Sequence, residues 1–167
     1  KTKLVNCFLS GRRKSISKYE NQTEELQSKV LQKLIRQAIH TEWGQTHGFA
    51  QVNDYNSFTK TSPINTYEEL KGYIDRMRRG EKDVLWSGKV RWYAKSSGTT
   101  NDKSKFIPVS KECLQDTHYR GGTDAVALYL GQNPRSRMFD GKALILGGSH
   151  SPNYNLPHSL VGDLSAI

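Results

Sequence analysis

Cysteine is nearly absent from this sequence. Cys7 and Cys113 are the only two in 167 residues, too few for a disulfide scaffold and without metal-ligand spacing, so two reduced thiols are expected. Long apolar runs are missing as well. Nothing approaches the roughly 18 consecutive apolar residues a membrane helix requires, and the N-terminus lacks the apolar core of a signal peptide. The reading therefore has no membrane and no secretory route, and expects a cytoplasmic protein. Acidic residues are absent from the first 18 positions, which hold Lys1, Lys3, Arg12, Arg13, Lys14 and Lys18. The remainder carries 19 basic against 16 acidic residues, so most of the net charge of +9 comes from one end. An initiating methionine is missing too. The chain opens on Lys1 and stops at Ile167 within the apolar stretch Leu160-Val161-Gly162-Asp163-Leu164-Ser165-Ala166-Ile167. A piece of a larger domain is the expectation.

A basic chain invites nucleic acid as a partner, but the distribution argues against it. Phosphate-tracking surfaces couple charge to aromatic stacking platforms or a groove-reading helix. Here Trp86, Trp92 and Tyr93 stand in strand-like sequence instead. Arg12, Arg13 and Lys14 are expected to be largely exposed, as solvated charge or a face for acidic parts of a longer chain. Two non-catalytic alternatives remain open at this point: a basic nucleic-acid module with salt-dependent affinity, and a helical interaction module.

What is present reads as helices first, strands second. Leu26, Val30, Leu31, Leu34, Ile35, Ala38 and Ile39 recur with helical spacing, predicting an amphipathic helix over 24–42 that packs inward. Thr23 is its expected N-cap and Gly44 its end. Residues 45–65 are turn-rich. Thr66 with Glu69 forms a capping box opening a helix whose Leu70, Tyr73, Ile74 and Met77 share one side, with Gly80 at its end. The neighbouring carboxylates Glu68 and Glu69 point to different faces and serve the first turn, not acid/base chemistry. From Val84 the pattern changes: residues 84–86, 90–94 and 106–109 are rich in β-formers. Ser110 caps a helix to about Leu130, weakened at Gly121 and Gly122. Ala143-Leu144-Ile145-Leu146, between glycines, reads as a buried strand. Residues 1–83 are thus mainly helical, and residues 84–167 hold a β-hairpin, a helix and a strand.

One segment carries chemistry. Lys95-Ser96-Ser97-Gly98-Thr99-Thr100-Asn101-Asp102-Lys103-Ser104-Lys105 joins two strands, dense in hydroxyls, with a glycine near its apex and a lysine at its end. Hydroxyls and free backbone N–H groups in a tight turn donate to phosphate oxygens, lysine neutralises charge, and glycine lets the backbone come close. The flanking strands should pair antiparallel, leaving the loop exposed and mobile without nucleotide. A Walker loop is rejected: Ser97 and Asp102 occupy its glycine positions, and Lys105 leads into a strand instead of a helix. Gly147-Gly148-Ser149-His150-Ser151 falls short of a nucleophile elbow, because Pro152 and Pro157 preclude the helix that must follow. Ser149 is read as a turn residue. His150 and His158 lack companions for zinc, and no metal site is expected.

The run Ser96-Ser97-Gly98-Thr99-Thr100, with Lys105 and Ile107-Pro108, resembles the phosphate-binding motif of acyl-adenylate-forming enzymes. More narrowly it resembles the auxin-responsive-promoter family of ATP-dependent acyl-acid amido synthetases. Trp92-Tyr93-Ala94-Lys95 and Gly162-Asp163-Leu164-Ser165-Ala166 look like bacterial members, and the resemblance runs from about Tyr19 to Ile167. It implies an α/β fold, the N-terminal fragment of an acyl-adenylate-forming large domain, with helices and a β-hairpin carrying the phosphate loop. It implies Ser96, Ser97, Gly98, Thr99, Thr100 and Lys105 as ATP phosphate ligands, with ATP and Mg2+ as cofactors. Small-molecule partners follow: a carboxylic acid, activated as its adenylate, and an amino acid or other amine. Asp102 departs from the wider superfamily, which often has glycine there; its carboxylate must face away from the triphosphate or meet the magnesium ion. The motifs for adenine, ribose and acyl group lie outside this stretch, so an enzyme is expected only at full length, with this piece inactive alone and its catalytic residues unassigned.

Overall fold

The computed structural model describes residues 1–96 and 104–166. Helices α1 (Thr2–Phe8), α2 (Ser10–Asn21), α3 (Thr23–Ala38), α4 (Glu42–Thr46), α5 (Tyr55–Thr61) and α6 (Tyr67–Arg78) come first. Strands β1 (Trp92–Lys95) and β2 (Phe106–Val109) follow, then α7 (Lys111–Cys113), a π-helical stretch (Leu114–Tyr119), α8 (Arg120–Gln132) and β3 (Leu160–Gly162). The strands form one mixed sheet in the order β2-β1-β3, with β1 antiparallel to β2 and parallel to β3. The expected α/β class and hairpin are both present. No helix among the described residues is long and apolar enough to cross a membrane.

The chain forms two compact units, each assembled from two stretches. The first comprises residues 1–26 and 112–146. Leu9, Ala127 and Leu130 make its buried core, flanked by Val5 and Val126. Polar anchors surround it. The Thr2 N–H and hydroxyl both donate to Asp140 Oδ1 at 3.0 Å, and the Phe139 N–H donates to the Thr2 hydroxyl at 3.0 Å. Arg12 forms a two-pronged pair with Asp124, Nε to Oδ1 at 2.5 Å and Nη2 to Oδ2 at 2.7 Å. Arg13 donates to the carbonyls of Ala127 and Asn6. The expected exposure of Arg12 and Arg13 is therefore corrected: both are half-buried structural groups, and only Lys14 is exposed. The carboxylate and carbonyls that receive them made the difference.

The second unit comprises residues 27–111 and 147–167. Ile74, Met77, Val84, Val90, Tyr93 and Val161 form one core cluster; Ile35, Ala38, Phe49 and Val52 form another, with Trp86 packed on both. Tyr93 is fully buried, its hydroxyl donating to the Val90 carbonyl at 3.2 Å, and burial pushes its phenol up to about 12. The capping box at Thr66 and Glu69 is formed as expected, and Gly80 follows α6 at φ +96, a conformation side chains resist.

Several elements differ from the sequence reading. Helix α3 ends at Ala38, because Thr41 turns extended and starts a new helix, its oxygen accepting from the Gly44 N–H at 3.0 Å. Gly44 lies inside α4, where a Cβ would come within 2.1 Å of the Ala38 carbonyl oxygen. Thr23 does not cap; its hydroxyl donates back to the Tyr19 carbonyl. On α3, Ile35 and Ala38 are buried, but Val30 is 56% and Leu34 46% exposed, so the inward stripe is narrower than its spacing suggests. Residues 45–65 include α5, capped reciprocally by Asp54 and Ser57. Residues 84–86 form no strand. The carbonyls of Asp83 and Val84 instead accept from the Glu42 and Trp43 N–H groups at the start of α4. The Lys111–Gln132 helix passes through the π-helical stretch. Ala143–Leu146 is not a buried strand: Leu144, Ile145 and Leu146 are 84–90% exposed, and no strand among the described residues pairs with them.

Candidate phosphate-binding site

Strands β1 and β2 pair Trp92 with Val109, Tyr93 with Pro108, Ala94 with Ile107 and Lys95 with Phe106. One step further, the Ser96 N–H donates to the Lys105 carbonyl at 3.0 Å, and the Lys105 N–H donates to Ser96 Oγ at 3.2 Å. Ser96 and Lys105 thus close the base of the loop. Ser97, Gly98, Thr99 and Thr100 lie outside the described residues, as does the expectation about the loop's exposure and mobility. With Ser96 Oγ accepting from Lys105, its own hydroxyl proton is free for another acceptor.

Strand alternation puts Ser96 and Lys105 on one face of the hairpin and Lys95 and Phe106 on the other. On the first face the Lys105 ammonium lies 5.4 Å from the Tyr67 ring centroid. Tyr67 is fixed as the first residue of α6, and its hydroxyl accepts from the Phe106 N–H at 2.9 Å. On the second face the Lys95 ammonium stands 4.2 Å from the Tyr154 ring centroid. Arg78, on the last turn of α6, stacks 3.8 Å over Phe106 and donates to the Tyr154 carbonyl at 2.8 Å. The Phe106 and Tyr154 rings meet at 5.7 Å. Among the described residues no carboxylate pairs with Lys95, Lys105 or Arg78. Sequence reasoning missed Lys95, Arg78, Tyr67 and Tyr154. Alternation along β1 was enough to place Lys95 opposite Ser96, but the contacts of Tyr67, Arg78 and Tyr154 with the hairpin needed the fold.

The region after Leu146 does not build a nucleophile. The Ser149 N–H donates to Asp163 Oδ2 at 2.9 Å and the Asp163 N–H returns to the Ser149 carbonyl at 3.0 Å. His150 bridges Gly162 antiparallel, so Ser149 lies in a laced segment beside β3 instead of in a turn. Among the described residues no three His, Cys, Asp or Glu side chains gather to hold a metal ion.

Helices packed against a small mixed sheet, with a hydroxyl-rich sequence joining β1 to β2 between Ser96 and Lys105, define an α/β architecture. Residues 12–158 match the GH3 family N-terminal domain, and the chain belongs to that family. Jasmonoyl--L-amino acid synthetase JAR6 of Nicotiana attenuata is 32% identical over 108 residues, covering 62% of this chain and 19% of the relative. Indole-3-acetic acid-amido synthetase GH3.15 of Arabidopsis thaliana is 32% identical over 93 residues, covering 55% and 16%. The solved structure of a GH3.15 acyl acid amido synthetase superimposes with a TM-score of 0.70 at 26% identity, over 89% of this chain and 27% of that one. The chain therefore spans about a fifth or less of the length of these curated relatives.

Proposed function

We propose that this chain is the N-terminal part of an ATP-dependent acid-amido synthetase and carries its triphosphate-gripping hairpin. Residues 1–167 then belong to one larger adenylate-forming domain. A carboxylic acid attacks the α-phosphorus of ATP, the bond to the bridging oxygen breaks, and pyrophosphate leaves with the electron pair. An amine then attacks the acyl carbonyl carbon, AMP departs, and the amine's proton passes to solvent. The hairpin's work is positioning and charge neutralisation in the first step. Lys105 supplies a cation, the Ser96 hydroxyl a donor, and Ser97, Gly98, Thr99 and Thr100 the hydroxyl and backbone donors of the loop. Mg2+ arrives on the triphosphate, as hard oxygen chemistry favours.

The observation that supports this reading is the paired closure of the loop by Ser96 and Lys105, which fixes at its mouth a lysine that pairs with no carboxylate among the described residues. In the full-length protein, Lys105→Ala removes a charge-assisted hydrogen bond of about 1.5–3 kcal/mol, an expected loss of about 10- to 150-fold in acid-dependent exchange of pyrophosphate into ATP. Thr99→Ala acts in the same direction but more weakly, about 0.5–1.5 kcal/mol. Lys103→Ala is the control. If it abolishes exchange while Lys105→Ala is silent, the loop is read in the wrong register.

A further inference from the structure

Lys95 stands immediately before the loop, yet it faces away from Ser96 and Lys105. Its ammonium rests against the Tyr154 ring at 4.2 Å from the centroid. A cation on an aromatic face at a partly exposed site is held weakly, about two- to five-fold in an equilibrium constant. The surroundings add positive charge instead of cancelling it. Arg78 donates to the backbone carbonyl of the same Tyr154. Its Nε is buried and has no hydrogen-bond partner among the described residues. No carboxylate among the described residues compensates either group. Arg78 at the Tyr154 carbonyl and Lys95 on the Tyr154 ring are thus two cations with no compensating carboxylate among the described residues, a charge that an anion would balance.

We propose that Lys95 is a second phosphate-binding lysine, parked on Tyr154 without nucleotide and transferred to the β- or γ-phosphate when ATP enters. This rests on the adenylation reading above and adds a ligand to it. The hairpin would then meet the polyphosphate from both faces, Lys105 from one and Lys95 from the other. No covalent step is involved; a cation–π contact is exchanged for a charge-assisted hydrogen bond. Arg78 is a positioning residue in this account, since it holds Phe106 and the Tyr154 backbone in place.

The opposing explanation is that Lys95 merely tethers Tyr154. The two predict opposite signs for Tyr154. In the full-length protein, with pyrophosphate exchange at saturating acid, Lys95→Ala should raise the KM for ATP about 10- to 100-fold. Lys95→Arg should restore it to within about five-fold, and Lys95→Gln, which keeps the side-chain bulk, should fail to. Tyr154→Leu should lower the KM by about two- to five-fold, because it removes the competing rest position. An unchanged KM in Lys95→Ala and Lys95→Gln overturns the proposal, and so does a Tyr154→Leu variant that reproduces the lysine loss. Exchange by the wild-type protein with unaffected Lys95 variants would sink this inference alone. Absence of exchange in the wild type would sink the adenylation reading and this inference together.

Discussion

Arg13 reaches the Ala127 carbonyl past a residue without a side chain: a Cβ on Gly131 would stand 2.7 Å from Arg13 Cδ. Its neighbour Arg12 pairs with Asp124 across 112 residues of sequence. A basic run looks like solvated charge when its partners are that distant, and this is why the sequence hid both roles. Arg12→Ala should destabilise the first unit by about 1–3 kcal/mol, between an exposed and a buried pair. Lys14→Ala should stay within about 0.5 kcal/mol. Hydrogen exchange of the first-unit helix amides, read separately for each variant, checks the difference. The Arg12 hydrogen bond also holds Asp124 below its ordinary 3.8. A carboxylate depressed in the folded state stabilises at pH above its unfolded value and loses that contribution as pH falls through its folded value. The gap between wild type and Arg12→Ala should therefore be full at pH 6 and shrink once pH drops below about 3.8. A gap that widened in acid would contradict the pairing.

Elements whose determinants are local were legible in the sequence. Thr66 and Glu69 announce α6, and the β-formers at 90–94 and 106–109 announce the hairpin, whose strands are Trp92–Lys95 and Phe106–Val109. Elements governed by distant partners were not. Residues 84–86 have strand-like side chains, but their neighbouring carbonyls cap α4. Residues 143–146 have strand composition with no described partner. Helix α3 shows the same limit in its side chains, since spacing marks a stripe without saying how much of it is covered. Met77, 2% exposed, and Leu34, 46% exposed, are the contrast that tests the packing. Met77→Ala should cost about 2–5 kcal/mol as a buried large-to-small change. Leu34→Ala should cost about 1 kcal/mol or less in this fold, because much of its surface is already in water. Denaturant midpoints of the two variants decide it; equal losses would mean that the Leu34 face is covered by another part of the protein.

At the scale of the whole molecule, the net charge of +9 is spent inside the fold as well as on its surface. Arg76 bridges Glu42 and Glu81, Arg12 holds Asp124, and Arg78 stacks on Phe106. Lys95 and Lys105, which pair with no carboxylate among the described residues, lie instead on opposite faces of the hairpin. Folding from discontinuous stretches creates this pattern: α6 supplies Tyr67 and Arg78, the hairpin supplies the lysines, and Tyr154 arrives from the far end of the sequence. The family could be read from the motif, whereas the way distant segments support it could not. The central claim is that the hairpin serves acyl adenylation. Its most direct test is exchange of labelled pyrophosphate into ATP by the full-length protein, screened across carboxylic acids with no amine present. The account predicts exchange that requires both a carboxylic acid and magnesium, and proceeds without any amine. Amide formation accompanied by ADP and phosphate, with no pyrophosphate exchange under any acid, would contradict it, because the acid would then be activated at the γ-phosphorus.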